Sequence, residues 1–172
     1  MSNLDFKHTI AAVEKVRDLI IKASKTNLQK QKKDVSGTLS ESIQPIETQV
    51  VDGVVETGIK MLQYGEYVDK GVSGIKKKYK TPYKYTNKMP PSRALDKWVV
   101  RKGIAPRDEK GRFLKRKSVL FLIARGIYRN GMKPSLFLTK PFEKYKKLLA
   151  DEINEAFNKD AQEYIETELN KK

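Results

Sequence analysis

Few residues in this 172-residue chain could do acid, base, nucleophilic or metal chemistry. The sequence has no cysteine and a single histidine, His8, so it cannot form a disulfide, a thiolate nucleophile or a zinc site built from several such ligands. Asp108 and Glu109 are adjacent in a stretch of turn composition, which favours a solvated turn over a carboxylate dyad. The segment "GVSGIKKK" lacks the spacing of a phosphate-binding loop. We therefore predict no enzyme activity, no metal site and no cofactor.

Charge is distributed unevenly along the chain, whose formal net charge is +15. Residues 70–117 carry 17 basic and 3 acidic side chains, whereas residues 148–172 carry 3 basic and 7 acidic ones. A basic middle and an acidic end are typical of a protein that contacts a polyanion or an oppositely charged protein surface.

The most basic stretch is "GIKKKYKTPYKYTNKMPPSR", residues 74–93, with seven Lys or Arg, three Tyr, three Pro and no acid. Lysines with tyrosines between them can neutralise phosphates and stack on bases. A solvated loop explains the same composition, and we weight it about equally with contact to a polyanion or an acidic protein surface. Because the prolines and the missing apolar period exclude a regular element, we expect residues 72–92 to form an extended loop that is mobile in the monomer and ordered only by a partner.

Apolar periodicity predicts long helices at both ends of the sequence. The first covers residues 1–26, with Ser2 or Asn3 as N-cap, and is followed by a connector, "SKTNLQKQKKD". The second covers residues 140–170 and becomes poorer in apolar residues towards its end.

Between these helices the sequence predicts a hairpin and three shorter helices. Two runs rich in β-branched residues flank Asp52-Gly53, a pair suited to a type I′ turn, so residues 43–62 should form a β-hairpin. Short helices are expected at "YGEYVDK" and "SRALDKWVVRK". The segment "SVLFLIARGIYRN" should form a helix capped by Ser118 and buried on more than one side.

The predicted fold is therefore α+β: a small antiparallel sheet with a central β-hairpin packed by several helices, long terminal helices and the basic loop. The length of the chain favours one domain covering residues 1–172. No apolar run reaches the length of a membrane span, and the start "MSNLDFKHTI" lacks a secretory signal pattern, so we expect the protein in the cytoplasm or assembled there.

The order of these elements resembles the tail-completion and head–tail joining proteins of tailed bacteriophages. The resemblance covers roughly residues 30–150 and depends on three short segments. One precedes the first strand, one is the Tyr-x-x-Tyr-Val helix, and one opens the last helix. The matching residues are Gly37, Leu39, Ser42 and Ile43, then Tyr64, Tyr67, Val68 and Gly71, and finally Pro134, Phe137, Leu138 and Pro141.

The resemblance implies a structural virion protein that forms a ring of six or twelve copies at the neck or upper tail. Its expected partners are copies of itself and other neck, tail or portal-side proteins, with double-stranded DNA passing through the channel as a further candidate and no membrane. The ring would be assembled in the cytoplasm of a bacterial host. The alternative is a non-specific nucleic-acid-binding protein that acts through residues 70–117.

Either function uses exposed aromatic and basic side chains as contact residues. The candidates for a ring interface or a polyanion contact are Tyr64, Tyr67, Lys76, Lys77, Lys78, Lys80, Lys84, Arg93, Trp98, Arg112, Lys115, Arg116 and Phe137.

Overall fold

A computed structural model describes residues 5–170 and confirms the α+β fold class. Within this range six α-helices, one 3₁₀ turn and one two-stranded antiparallel sheet follow one another along the chain. In chain order they are α1 Lys7–Lys30, α2 Thr38–Ser42, β1 Gln44–Val51, β2 Val54–Lys60, α3 Tyr64–Lys70, the 3₁₀ turn Ser92–Leu95, α4 Asp96–Arg101, α5 Arg116–Asn130 and α6 Thr139–Leu169.

The chain divides into two compact units, which the length of the sequence did not indicate. Unit 1 consists of Met1–Leu28, Ser40–Leu62 and Phe137–Lys172, and unit 2 consists of Gln29–Leu39 and Gln63–Leu136. Unit 1 therefore holds the hairpin and most of the two long helices, while unit 2 holds the shorter helices and the basic loop.

In unit 1, α1 and α6 pack against each other in antiparallel directions. Thr9 near the start of α1 bonds Asp160 near the end of α6, and Lys15 one to two turns later bonds Glu152 at 2.7 Å. The rings of Phe6 and Phe157 stack with their centroids 6.5 Å apart. The apolar stripe predicted for α1 faces inward, as the complete burial of Val16 shows.

The start of α1 is capped by a side chain from α6. The amides of His8 and Thr9 donate to the two carboxylate oxygens of Asp160, each at 2.8 Å, and the Thr9 hydroxyl donates to the same carboxylate at 2.6 Å. These amides have no partner within the helix, so Asp160 supplies the acceptor that an N-cap residue normally provides. The predicted caps, Ser2 and Asn3, lie outside the described residues.

The hairpin forms as predicted, and its turn explains why. Asp52 and Gly53 both have positive φ angles, 51° and 78°, as a type I′ turn requires. The strands pair from Val51↔Val54 to Gln44↔Lys60, with an irregularity between Ile46 and Gln49. Most hairpin residues are exposed.

Arg17 of α1 holds the hairpin against the helix within unit 1. Its guanidinium donates to the carbonyl of Ile46 and to the hydroxyls of Thr48 and Thr57, each at 3.1 Å. The Arg17 side chain is only 10% exposed, so one buried cation joins α1 to both strands.

Helix α1 continues past the predicted connector to Lys30, so the prediction of a boundary at residue 26 was four residues short. Leu28 is completely buried, and the Asn27 amide donates to the carbonyl of Phe137. These long-range contacts stabilise a turn whose local sequence has few apolar residues.

In unit 2, a small core joins α4 to α5. Val99, Val119 and Leu120 form its buried centre, with Leu95, Ile104 and Ile123 packed around it. Helix α5 begins at Arg116, so Ser118 lies inside the helix and does not cap it. Phe121 and Leu122 are 48% and 54% exposed, so the prediction that this helix is buried on several sides was wrong.

Tight backbone contacts close unit 2 where α5 ends. Val72 and Met132 exchange both of their backbone hydrogen bonds, at 2.9 and 2.8 Å. Gly131 has a φ of +70° and lies directly against the backbone of residues 72–74. A Cβ on Gly131 would lie 2.1 Å from the Val72 carbonyl oxygen and 2.5 Å from the Gly74 amide nitrogen. Only glycine permits this approach.

None of the helices in the described part of the chain is both long enough and apolar enough to cross a membrane.

Candidate interaction groove

The basic loop doubles back on Ser73, a residue that is 5% exposed. The Ser73 amide donates to the carbonyl of Tyr83 at 2.8 Å, and the Ser73 carbonyl accepts from the amide of Tyr85 at 2.9 Å. The Ser73 hydroxyl accepts from the Tyr79 amide at 3.0 Å and donates to the Tyr79 carbonyl at 3.2 Å. A single serine thus organises residues 73–85.

The C-terminal end of α5 provides the second set of bonds to the loop. The carbonyl of Arg129 accepts from the amides of Lys76 and Lys77, and the Tyr128 hydroxyl donates to the carbonyl of Thr86 at 2.6 Å. The loop predicted for residues 72–92 contains no helix and no strand beyond isolated bridges, except that its last residue, Ser92, begins the 3₁₀ turn. The expectation that their order must come from a partner was wrong, because unit 2 itself supplies these hydrogen bonds.

Beside this loop, unit 2 contains a groove of about 950 Å³ that is lined mostly by aromatic and aliphatic side chains. We call it the aromatic groove. It is lined by Tyr64 and Tyr67 of α3, Tyr83 and Tyr85 of the basic loop, Leu95 and Trp98 of the following helical segment, and Val72 and Met132.

Contacts among the tyrosines fix the wall of the groove. The rings of Tyr67 and Tyr83 meet edge to face with centroids 4.6 Å apart, an arrangement that aromatic pairs favour. A hydrogen bond to Glu66, with burial as a smaller cause, raises the pKa of Tyr83. Burial raises the pKa of Tyr85, and burial together with the charge of Asp34 raises that of Tyr64. Raised pKa values keep Tyr64, Tyr83 and Tyr85 neutral at physiological pH.

The rim of the groove is predominantly positive. Lys33, Lys84, Lys97 and Arg101 line it together with one acid, Asp34. All four cations are exposed. Unit 2 as a whole contains 23 basic and 6 acidic residues, a net charge of +17, so the surrounding field reinforces this rim.

The groove brings together four of the predicted contact residues: Tyr64, Tyr67, Lys84 and Trp98. Tyr64 and Trp98 are 44% and 40% exposed, and Tyr67 is 36% exposed, so their rings face the open groove. The other predicted residues of the basic stretch, Lys76, Lys77, Lys78, Lys80 and Arg93, are exposed but do not line it.

Arg112, Lys115 and Arg116 lie elsewhere in unit 2. Arg112 pairs with Asp108 at 3.0 Å, and Arg116 pairs with Asp96 at 2.6 Å. The hydrogen bond from Arg116 to Asp96 raises the pKa of Arg116. Arg112 thus stabilises the turn that contains Asp108, and Arg116 stabilises the start of α4 at Asp96. Because both arginines are paired, they are less available to a polyanion than unpaired cations would be.

Phe137 was predicted to be an exposed contact residue, and this was wrong. Its side chain is completely buried in unit 1, where its carbonyl accepts from Asn27. In the sequence, an aromatic residue beside a proline-containing segment indicates an exposed contact residue. The contact with Asn27 joins residues 110 positions apart, and local sequence does not show such contacts.

Sequence reasoning did not identify Tyr83, Tyr85, Lys97 and Arg101 as parts of the groove. The two tyrosines were noted as members of the basic stretch, but alternation of Lys and Tyr does not show which side chains turn inward. Lys97 and Arg101 are four residues apart on α4, so they share a helix face, and that spacing was the available signal.

The groove is suited to binding, because its groups are aromatic rings, aliphatic side chains and exposed cations. Among residues 5–170, no three His, Asp or Glu side chains are grouped to hold a metal ion. Searches with this chain against family models, curated proteins and solved structures find no match.

Proposed function

We propose that this chain is a structural virion subunit that assembles into a ring at the head–tail junction or upper tail of a tailed bacteriophage. In this role it joins portal-side and tail-side components around the DNA channel. The proposal takes the resemblance of residues 30–150 as its starting point and the surface of unit 2 as its physical support.

The observation that carries the proposal is the aromatic groove, which is open in the single chain. A groove of about 950 Å³ is lined by one Trp and four Tyr, and the rings of Tyr64, Tyr67 and Trp98 are exposed in the single chain. Aromatic side chains with arginine and a polar rim are typical of protein–protein interfaces. Unit 1 carries 13 basic and 15 acidic residues, a net charge of −2, against +17 for unit 2.

This difference in charge suits a ring. A closed ring forms when one surface of each copy meets a different surface of the next, and opposite charges on the two surfaces fix the orientation. Basic unit 2 and the acidic end of α6, where residues 161–170 contain three glutamates and no Lys or Arg, provide such a pair of surfaces within one chain.

The test is to examine the protein in particles and in solution. Antibodies against the purified chain should label intact virions at the junction of head and tail. Electron microscopy and native mass spectrometry of the purified protein should show closed rings of six or twelve copies. Absence of the chain from purified particles would disprove the proposal, whatever the protein does in solution.

A second function, non-specific nucleic-acid binding, is favoured by one specific observation. Lys76, Lys77, Lys78, Lys80 and Lys84 are all exposed on a loop whose tyrosines are partly exposed, an arrangement suited to phosphate contact and base stacking. Replacing all five by alanine should then abolish DNA binding and reduce the slope of log affinity against log salt by about one unit for each lost phosphate contact.

The matched control replaces five exposed lysines of unit 1, Lys22, Lys60, Lys140, Lys146 and Lys147. Both variants have the same net charge. Equal loss of binding in the two would show a response to net charge alone, and unchanged gel shifts in the loop variant would reject this function.

A further inference from the structure

The end of α6 has a surface that complements the aromatic groove. Ile165 and Leu169 are 56% and 66% exposed and are one helical turn apart, so they form an apolar pair on one face. Residues 161–170 contain three glutamates and no Lys or Arg. An exposed apolar pair within an acidic helical segment has the chemistry that an aromatic groove with a cationic rim would bind.

We infer that the last turns of α6, residues 161–170, dock into the aromatic groove of a second copy of this chain. Ile165 and Leu169 enter the apolar floor beside Trp98. Glu166, which is exposed between them in sequence, faces the cations of the rim. The inference rests on the proposed ring and deepens it by naming the two surfaces that meet.

Charge complementarity selects this occupant over other parts of the chain. The exposed apolar residues of α5, Phe121 and Leu122, belong to the strongly basic unit 2 and would bring like charges together at the rim. The hairpin exposes Val50 and Val54, but its strands present a flat surface and no helical apolar pair. Among these surfaces, the end of α6 alone combines exposed aliphatic side chains with an excess of acid.

The contact between copies is heterologous, because groove and helix end are different surfaces of one chain. Each copy gives its helix end to one neighbour and receives that of the other, so the contact repeats until the ring closes. An isolated pair of copies would leave one groove empty.

Trp98 is the only tryptophan in the sequence and lies in the groove, so its fluorescence reports groove occupancy. The reporter is the full chain with I165N, E166K and L169N, which keeps Trp98 and loses the docking helix end. The donor is the full chain with W98F, which keeps the helix end and contributes no tryptophan emission. Adding donor to reporter should shift the Trp98 emission to the blue, with saturation.

Two further donors serve as controls. A W98F donor that also carries I165N, E166K and L169N should bind roughly tenfold or more weakly, since two buried aliphatic contacts are lost. A W98F donor with V50N, V54N and E56K has the same kinds of substitution at exposed hairpin positions and should bind like the unmodified donor. Binding to the unmodified donor should weaken at high salt.

Three results would overturn the inference. The first is no shift of the Trp98 emission with any donor. The second is an equal shift with the donors that carry the intact and the substituted helix end. The third is a Trp98 emission of the wild-type chain that is already blue-shifted at every protein concentration. The last result would mean that each helix end occupies the groove of its own chain. If rings occur in virions but this docking is not observed, the proposed function stands and the docking inference fails. If the docking is observed but the protein is absent from virions, the docking inference stands and the proposed function fails.

Discussion

The two units keep their structures by different means. Unit 1 has nearly balanced charge and depends on side-chain contacts between long helices and a hairpin, with Asp160 and Arg17 at buried positions. Unit 2 has a net charge of +17, a small apolar core, and a loop held mainly by backbone hydrogen bonds. Because like charges repel within a compact unit, we expect the backbone contacts that only glycine allows to matter more to the stability of unit 2.

The largest expected effect is therefore at a glycine of unit 2. In Gly131→Ala the new Cβ would lie 2.1 Å from the carbonyl oxygen of Val72 and 2.5 Å from the amide of Gly74, so the backbone must move. We expect a loss of about 4 kcal/mol or more in the free energy of unfolding, measured by chemical denaturation.

The matched control is Gly103→Ala, since Gly103 also has a positive φ, +63°, but has open space around its Cβ position. Its free energy of unfolding should fall by only about 1 kcal/mol, the cost of placing a residue with a side chain at a positive φ. Equal losses at the two positions would mean that the close approach of Gly131 contributes nothing.

The next effect concerns the buried carboxylate of unit 1. Asp160→Asn replaces an acceptor of three hydrogen bonds by an amide whose NH₂ group must face a donor, and we expect about 1–3 kcal/mol of destabilisation. The melting temperature measures it, with Asp151→Asn at an exposed position of the same helix as control.

The pH dependence of this contribution follows from the direction of the pKa shift. Burial alone would raise the pKa of Asp160, but the hydrogen bonds from Thr9 and from the His8 and Thr9 amides outweigh it and hold the pKa below its ordinary value of 3.8. The stability is present above that ordinary value and is lost as the pH falls through the lower folded value. The difference between wild type and Asp160→Asn should therefore shrink below about pH 4.

A smaller and more local effect is expected at the contact between α1 and the hairpin. Arg17→Met removes the three hydrogen bonds to the hairpin, together with the ion pairs to Glu14 and Asp18, and should destabilise unit 1 by about 1–2 kcal/mol. Hydrogen exchange should accelerate at hairpin amides more than at amides of α5. Lys22→Met, at an exposed position of α1, is the control, and uniform acceleration across both units would contradict the assignment.

The smallest effect should be at the wall of the aromatic groove. Glu66→Gln removes the carboxylate that raises the pKa of Tyr83, so that pKa should fall towards its ordinary value of 10.0. Titration of ring-labelled tyrosine by NMR measures it. The pKa of Tyr85, which burial alone raises, is the internal control and should stay unchanged.

The comparison of the units also shows which features could be predicted from sequence. Local signals predicted unit 1 well, because Asp52-Gly53 selects a turn and apolar spacing selects a helix. The end of α1 was misplaced because Leu28 is buried by contacts distant in sequence.

In unit 2 the deciding interactions are between backbone groups far apart in the chain. Nothing in the residue types around Ser73 shows that its amide and carbonyl will bond Tyr83 and Tyr85, or that Arg129 will accept from Lys76. The groove could be predicted only in part, since Tyr64, Tyr67 and Trp98 were recognisable as aromatic contact residues but their meeting point was not.

The bonds around Ser73 have a consequence for the cost of association. A lysine-rich loop that is disordered before binding must lose backbone and side-chain entropy when a partner fixes it. Here the hydrogen bonds of residues 73–85 fix the backbone during folding, so its conformational entropy is lost before a partner binds. A partner that contacts this loop needs to restrict only the lysine side chains, so fewer favourable contacts suffice for the same affinity.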